Sequence, residues 1–243
     1  MQSQKQKIIK TYQKKDNVEF FDEKRDKYLF QKYKHKIEAD FLKKTLREIK
    51  RDKIKILDIG CGTGRMLAEI FSIGKNIEYV GLDTSKQMTK HLKEKSKRLG
   101  VEKKIKVKIG NATRIPFKDR EFNVVFSYHL LWHIPKEEQE KIIKEMKRVC
   151  KKGGFIIFDI LNKDFVWEKL KWILKKEKIR ELYKINLKEA KGIAGDIKEF
   201  EIKKLSDAPI KNGSLYKMFN LINKSEKVLP KSFYHMIYLK IKK

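Results

Sequence analysis

The chain has 243 residues and a formal charge of +29, with 61 Lys and Arg against 32 Asp and Glu. Hydrophobic residues make up 40% and aromatics 11%, enough apolar material for a packed interior, which excludes wholesale disorder. Its two cysteines, Cys61 and Cys150, exclude a disulfide scaffold and suit a reducing, cytoplasmic setting, and no run approaches the roughly 18 apolar residues that span a bilayer.

Residues 1–17 are polar, and MQSQKQKIIK has no apolar core of a secretory signal. From Val18 to about Lys50 the pattern is helical, with apolar residues at Ile37, Phe41, Leu42, Leu46 and Ile49. Residues 1–50 are therefore expected to form an N-terminal helical extension on a main domain at 51–243. Ile54–Ile59 reads as a buried strand, Gly60, Gly62 and Gly64 as a turn, and Arg65–Ile73 as a helix. Ile77–Leu82 is a second strand, ended by Asp83, and Ser85–Leu99 is helical. Ile105–Ile109 and Asn123–Ser127 follow as strands. Pro135 opens a helix with Glu137 and Glu138 in its first turn, the sign preferred there. Gly153 and Gly154 are expected to stop that helix before a fifth strand at Phe155–Ile160. Five alternations of strand and helix predict an α/β, Rossmann-like, doubly wound, mostly parallel sheet. Past Asn162 the rhythm changes. Residues 164–187 read as a long cationic helical stretch, 198–205 and 233–241 as strands, and 206–230 as a loop with room for a helix. The last strand is expected to close a seven-stranded sheet antiparallel.

The strongest chemical signal is Asp58-Ile-Gly60-Cys61-Gly62-Thr63-Gly64 between a strand and a helix. Glycines there let the chain turn sharply and let a ligand lie against bare main chain. A dinucleotide fingerprint needs Gly or Ala in the sixth position of Gly-x-Gly-x-x-Gly, where Arg65 stands, so that reading is set aside. Asp83, with Thr84 beside it, ends the second strand, where a carboxylate accepts from both hydroxyls of a ribose. Its plainer reading is a helix-cap acid; beside the glycine loop the ribose reading is preferred.

Ile56–Arg65, Val80-Gly-Leu-Asp83-Thr-Ser-Lys-Gln-Met88, Gly110-Asn-Ala-Thr-Arg-Ile-Pro-Phe117 and Phe122–Ser127 together resemble a class I S-adenosylmethionine-dependent methyltransferase. The resemblance covers about residues 40–160 and is nearest to the branch that includes the ubiquinone and menaquinone biosynthesis methyltransferases. It implies a cofactor-binding core at about 54–160, with substrate-side elements at 161–243. It implies S-adenosyl-L-methionine as cofactor: Asp58 and the loop Gly60–Gly64 at its methionine end, Asp83 on the ribose, Met88 near the adenine. Asn111 and Ala112 would lie at the adenine edge, and Ser127 and Tyr128 would border the methionine part. The family often has Asp where Asn111 and Asn123 stand.

Methyl transfer asks little of side chains beyond aligning a nucleophile and excluding water. A hydroxyl or amine acceptor gains from a base. His129 and His133 lie just past the fourth strand, where open α/β sheets bind ligands, and either is a candidate; local packing is the alternative for both. No spacing announces a metal site. No Asn/Asp-Pro-Pro-Tyr/Phe run occurs, which argues against adenine- and glutamine-amino methylation. The expected activity is methyl transfer to a small-molecule or lipid-like acceptor. Two alternatives are an RNA methyltransferase using the basic surface and a non-catalytic cofactor-binding module. Only nine of the 61 basic residues are Arg, and the lysines are spread along the chain, which favours a solvated surface over a dedicated polyanion site. Phe165–Leu174 is an apolar face flanked by lysines, and reads as a packed helix, a substrate lid or a peripheral membrane contact.

Overall fold

The structure, a computed structural model, describes residues 29–165, 182–195, 200–205 and 235–243. Its elements are α1 (Leu29–Glu48), β1 (Lys53–Ile59), α2 (Leu67–Phe71), β2 (Asn76–Asp83), α3 (Lys86–Arg98), β3 (Ile105–Ile109), β4 (Phe122–Ser127), α4 (Lys136–Val149), β5 (Cys150–Leu161), α5 (Leu187–Ala194), β6 (Phe200–Leu205) and β7 (Met236–Lys242). Seven strands form one sheet in the order β3-β2-β1-β4-β5-β7-β6. β1 to β5 pair in parallel, and β7 runs antiparallel to both β5 and β6. The order reverses between β1 and β4, so a crevice opens at their carboxyl ends, where such sheets bind ligands.

Alternating strand residues feed two cores. Ile54, Ile56, Val124, Phe126, Ile157 and Tyr238 pack beneath α1 and α2, whereas Leu57, Val125, Ile156, Phe158 and Leu239 pack beneath α4 and α5. α1 is amphipathic because Ile37, Phe41, Leu42 and Leu46 recur on one face. Leu42 and Leu46 are fully buried, each stabilising by about 1.5–3 kcal/mol. Lys240 of β7 reaches Glu48 of α1 at 2.9 Å and Glu201 of β6 at 2.5 Å, which ties the helix to that side of the sheet.

Four expectations change. β7 does not close the sheet but lies between β5 and β6; Met236 to Ile241 are all buried, the pattern of an interior strand. The helix expected at Arg65–Ile73 shrinks to α2, because the chain is still turning through Met66. α4 stops at Val149, and Gly153 and Gly154 lie inside β5 instead of ending the helix. Gly153 has φ +71°, and a Cβ on Gly154 would stand 2.7 Å from the Asn123 carbonyl oxygen. In the stretch 164–187, residues 182–186 are extended, with Ile185 bridged to Asn162. α5 starts only after Asn186, which forms a capping box with Glu189. Residues 166–181 and the loop expected at 206–230 lie outside the described residues.

Candidate functional site

The loop after β1 folds toward β2: the N–H groups of Gly60 and Cys61 both donate to the Leu82 carbonyl, at 2.8 and 3.2 Å. Gly60, Gly62 and Gly64 have φ of +71°, +52° and +75°, a region costly for residues with a Cβ. Their surroundings differ. A Cβ on Gly64 would stand 2.8 Å from Leu67 and 2.9 Å from Leu92, so that glycine serves close packing. A Cβ on Gly62 would meet nothing within 4 Å, so bare main chain faces the crevice there. Cys61 and Thr63 are buried, and burial pushes the Cys61 thiol well up, leaving it unreactive.

Asp83, at the end of β2, accepts from the Gly62 N–H through Oδ2 and from the Ser85 N–H through Oδ1, both at 2.9 Å. The Thr84 N–H adds a third main-chain bond, which leaves the carboxylate with acceptor capacity for a further donor. Burial raises its pKa against those N–H bonds. Ser85 caps α3 by accepting from the Met88 N–H, which sets buried Met88 in the first turn; Thr84 is exposed. Asp58 is buried in β1 and accepts from the Tyr79 hydroxyl at 2.7 Å. Burial pushes its carboxyl up to about 7, with Asp83 adding repulsion and Tyr79 and Arg65 opposing.

Asn111 is exposed after β3, and its Oδ1 accepts from the Thr113 N–H at 3.0 Å. Ala112, partly buried, packs against the α4-side core. Arg148 of α4 fixes this loop by donating to the carbonyls of Ile115 at 2.8 Å and Phe117 at 2.9 Å. Ser127 and Tyr128 turn their side chains into the protein: Ser127 donates to the Ile59 carbonyl at 2.9 Å and Tyr128 to that of Glu38 at 3.3 Å. What they offer the crevice is main chain.

His129 sits one residue before Leu130, which would lie 3.3 Å from a Cβ on Gly60, so the two loops touch. His129 has φ +63°, a left-handed conformation costing about 1–2 kcal/mol outside glycine. Its N–H donates to Asp159 Oδ1 at 2.8 Å, and its Nε2 lies 2.6 Å from Glu38 Oε1. Glu38 Oε1 also accepts from the Tyr238 hydroxyl at 2.9 Å, and the Arg65 guanidinium forms an ion pair with Oε2. Burial alone would raise the pKa of Glu38, yet Arg65, His129 and Lys34 together hold it well below the usual carboxylate range. His129 is pushed down to about 3 by burial, with Glu38 opposing; Asp159 is pushed up to about 7 by burial and by Glu38. His133, on a short turn, stands beside Trp132 at 5.3 Å, and the same indole meets His129 edge-on at 5.5 Å.

The structure thus gathers the glycine loop and Asp83 around one crevice and sets His129 against it. Sequence reasoning missed Glu38, Asp159 and the use of Arg65. Asp159 is an acid inside the apolar run Phe155–Leu161, and Glu38 lies four residues before Leu42 on the buried stripe of α1; both were visible signals. Glu38, His129 and Asp159 bring ligand-type atoms within 4.8 Å of one another, a convergence no spacing announces.

Residues 56–154 match a family model described as a methyltransferase domain. An uncharacterized protein of Methanocaldococcus jannaschii is 33% identical over 202 residues, 83% of each chain. A demethylmenaquinone methyltransferase of Bacillus cytotoxicus is 39% identical over 104 residues, 42% of this chain and 43% of that protein. The chain belongs to the class I S-adenosylmethionine-dependent methyltransferase family. A Caenorhabditis elegans sterol 4-C-methyltransferase is 30% identical over 112 residues, 46% of this chain and 32% of its own, so the match spans about a third of that relative. The magnesium protoporphyrin IX methyltransferase of Synechocystis, solved with bound S-adenosylhomocysteine, superposes with a TM-score of 0.62 at 15% identity, covering 89% of this chain and 88% of that one. The [4+2]-cyclase SpnF superposes as well, at 0.62 and 16%, covering 88% and 82%, so the fold alone does not name a reaction.

The family cofactor, S-adenosylmethionine, fits these residues. A Cβ on Gly62 would meet no atom within 4 Å, Asp83 keeps acceptor capacity beyond its three main-chain bonds, and Asp58 is a buried carboxyl that a cationic ligand would stabilise as carboxylate. No helix among the described residues is long and apolar enough to cross a membrane.

Proposed function

We propose that this chain transfers a methyl group from S-adenosylmethionine to a small-molecule or lipid-like acceptor. The observation that carries the reading is the Gly62–Asp83 cradle at the carboxyl ends of β1 and β2, next to the point where the strand order reverses. The relatives named for sterol and demethylmenaquinone methylation support the acceptor class. When bound, the cofactor supplies an electrophilic methyl on a sulfonium. Asp83 holds the ribose hydroxyls, Asp58 balances positive charge, and Gly60–Gly64 with Cys61 and Thr63 shape the methionine end. Met88, Thr84, Asn111 and Ala112 border the adenosine, and the Ser127 and Tyr128 main chain closes the floor. His129 and His133 flank the acceptor side.

A second reading, RNA methylation, is favoured by the charge of +29. One experiment separates the two. The purified chain is incubated with tritiated cofactor and a cell extract split into lipid, small-metabolite and RNA pools. Label in the lipid or metabolite pool is expected. Label confined to RNA overturns the acceptor class, and cofactor binding without any turnover favours a non-catalytic binding module.

A further inference from the structure

We infer that His129 is the general base of the transfer, positioned by Glu38 and Asp159, and that the acceptor is therefore a protic group, a hydroxyl or an amine. The inference rests on the methyltransferase reading and adds a base and an acceptor chemistry to it.

Three observations carry it. Glu38, fully buried on α1 and ion-paired with Arg65, is a fixed acceptor 2.6 Å from His129 Nε2. A carboxylate there places the ring proton on Nε2 and leaves the lone pair on Nδ1. Nδ1 makes no hydrogen bond among the described residues, and the side chain keeps 20% of its surface exposed. Asp159 Oδ1 takes the His129 N–H at 2.8 Å and so fixes the left-handed backbone that aims the ring. Asp159 Oδ2 is buried with no hydrogen-bond partner, an unfilled acceptor of the kind found at functional sites. Leu130, the next residue, abuts Gly60, and Arg65, just after the cofactor loop, pairs with the same Glu38 that the ring contacts.

The same three side chains could be read as cation ligands, but the charges oppose it. The lone pairs of Glu38 are taken by His129, Tyr238 and Arg65, and Lys34 stands with Arg65 as a second cation acting on Glu38 and Asp159. A dication would enter beside two positive groups.

In the step, the acceptor's proton passes to Nδ1 while its oxygen or nitrogen pair forms the bond to the methyl carbon. The sulfur keeps the electron pair of the broken bond and departs as a neutral thioether. The proton then leaves Nδ1 for water. The charged groups acting on the ring are Glu38 and Lys34 from α1 and Arg65 from the loop after β1; Asp159 of β5 takes the main-chain N–H, Tyr238 of β7 shares Glu38 Oε1, and Trp132 meets the ring edge-on. Burial holds the ring neutral, with its pKa down at about 3, so Nδ1 keeps its lone pair at working pH and the ring itself should add no step to the transfer rate between pH 6 and 8.

Two readouts test this. In protein labelled with nitrogen-15 histidine, the His129 signals should show the Nε2–H tautomer from pH 6 to 8 and should shift when S-adenosylmethionine is added. With tritiated cofactor and the small-metabolite and lipid extract as probe, His129→Gly should lower transfer at least about 100-fold. Its cofactor affinity should hold, its Tm should fall only by the lost bond to Glu38 because φ +63° suits glycine, and added imidazole should restore part of the rate. A proton on Nδ1, a ring indifferent to cofactor, or full activity in His129→Gly would each overturn the inference. So would transfer that stops with chelator and returns with manganese. If the wild type transfers no label, the methyltransferase reading fails by itself, and the ring's tautomer and cofactor response still decide the placement of His129.

Discussion

Asp58 makes a residue-scale prediction with a definite sign. Its carboxyl titrates near 7 when folded, against 3.8 ordinarily, so the folded chain holds that proton more tightly than the unfolded one. Stability is therefore lost as pH rises from about 4 through 7. Asp58→Asn should raise Tm at pH 8, by no more than the equivalent of about 4 kcal/mol at 1.36 kcal/mol per unit, with the gain shrinking toward pH 5. A cationic cofactor favours the carboxylate, so affinity should fall as pH drops below about 7, by up to tenfold per unit. Calorimetry at pH 6 and 8 reads this; a slope unchanged in Asp58→Asn would contradict it. The two glycines should also separate. Gly62→Arg should abolish cofactor binding and cost about 1–2 kcal/mol for its left-handed backbone, whereas Gly64→Val should cost about 1–3 kcal/mol more, because its side chain also meets Leu67 and Leu92. The glycine loop and Asp83 were legible because a bend and a ribose acid need particular residues at fixed separations. Glu38 and Asp159 were not singled out, since their use depends on three elements meeting: α1, the turn after β4, and β5.

Elements hold the site through few contacts. Arg148 of α4 grips the loop after β3 by two carbonyls, and Glu145 of the same helix accepts from the Ile115 N–H at 2.7 Å. Arg148→Ala should free amides 111–117 to exchange faster by hydrogen–deuterium exchange, while amides of β1 and β4 keep their protection. Equal protection in both regions would show that the loop holds without α4. Strands β1 to β5 were legible as apolar runs between turn residues. The place of β7 was not, because Met236–Ile241 reads alike at an edge or inside; pairing with β5 on one side and β6 on the other fixes it there. The shortening of α2 has a local cause, since left-handed Gly64 keeps the chain turning where periodicity alone continues a helix.

At the scale of the molecule, the two cores make a rigid floor and the crevice forms where the sheet order reverses. The charge of +29 is partly drawn inward as structure: Lys240 joins α1 to β6, Lys55 joins β1 to Glu121 at 2.7 Å, and Arg65 joins the cofactor loop to α1. Through Arg65 and Glu38, the glycine loop after β1 and His129 after β4 share one buried network. The whole account depends on that crevice taking S-adenosylmethionine. The most direct test is a calorimetric titration of the purified chain with S-adenosylmethionine, repeated with Asp83→Ala. One saturable site per chain is predicted, weakened at least about tenfold in Asp83→Ala by the loss of charged hydrogen bonds. No binding by the native chain, or the same affinity in both proteins, would contradict it.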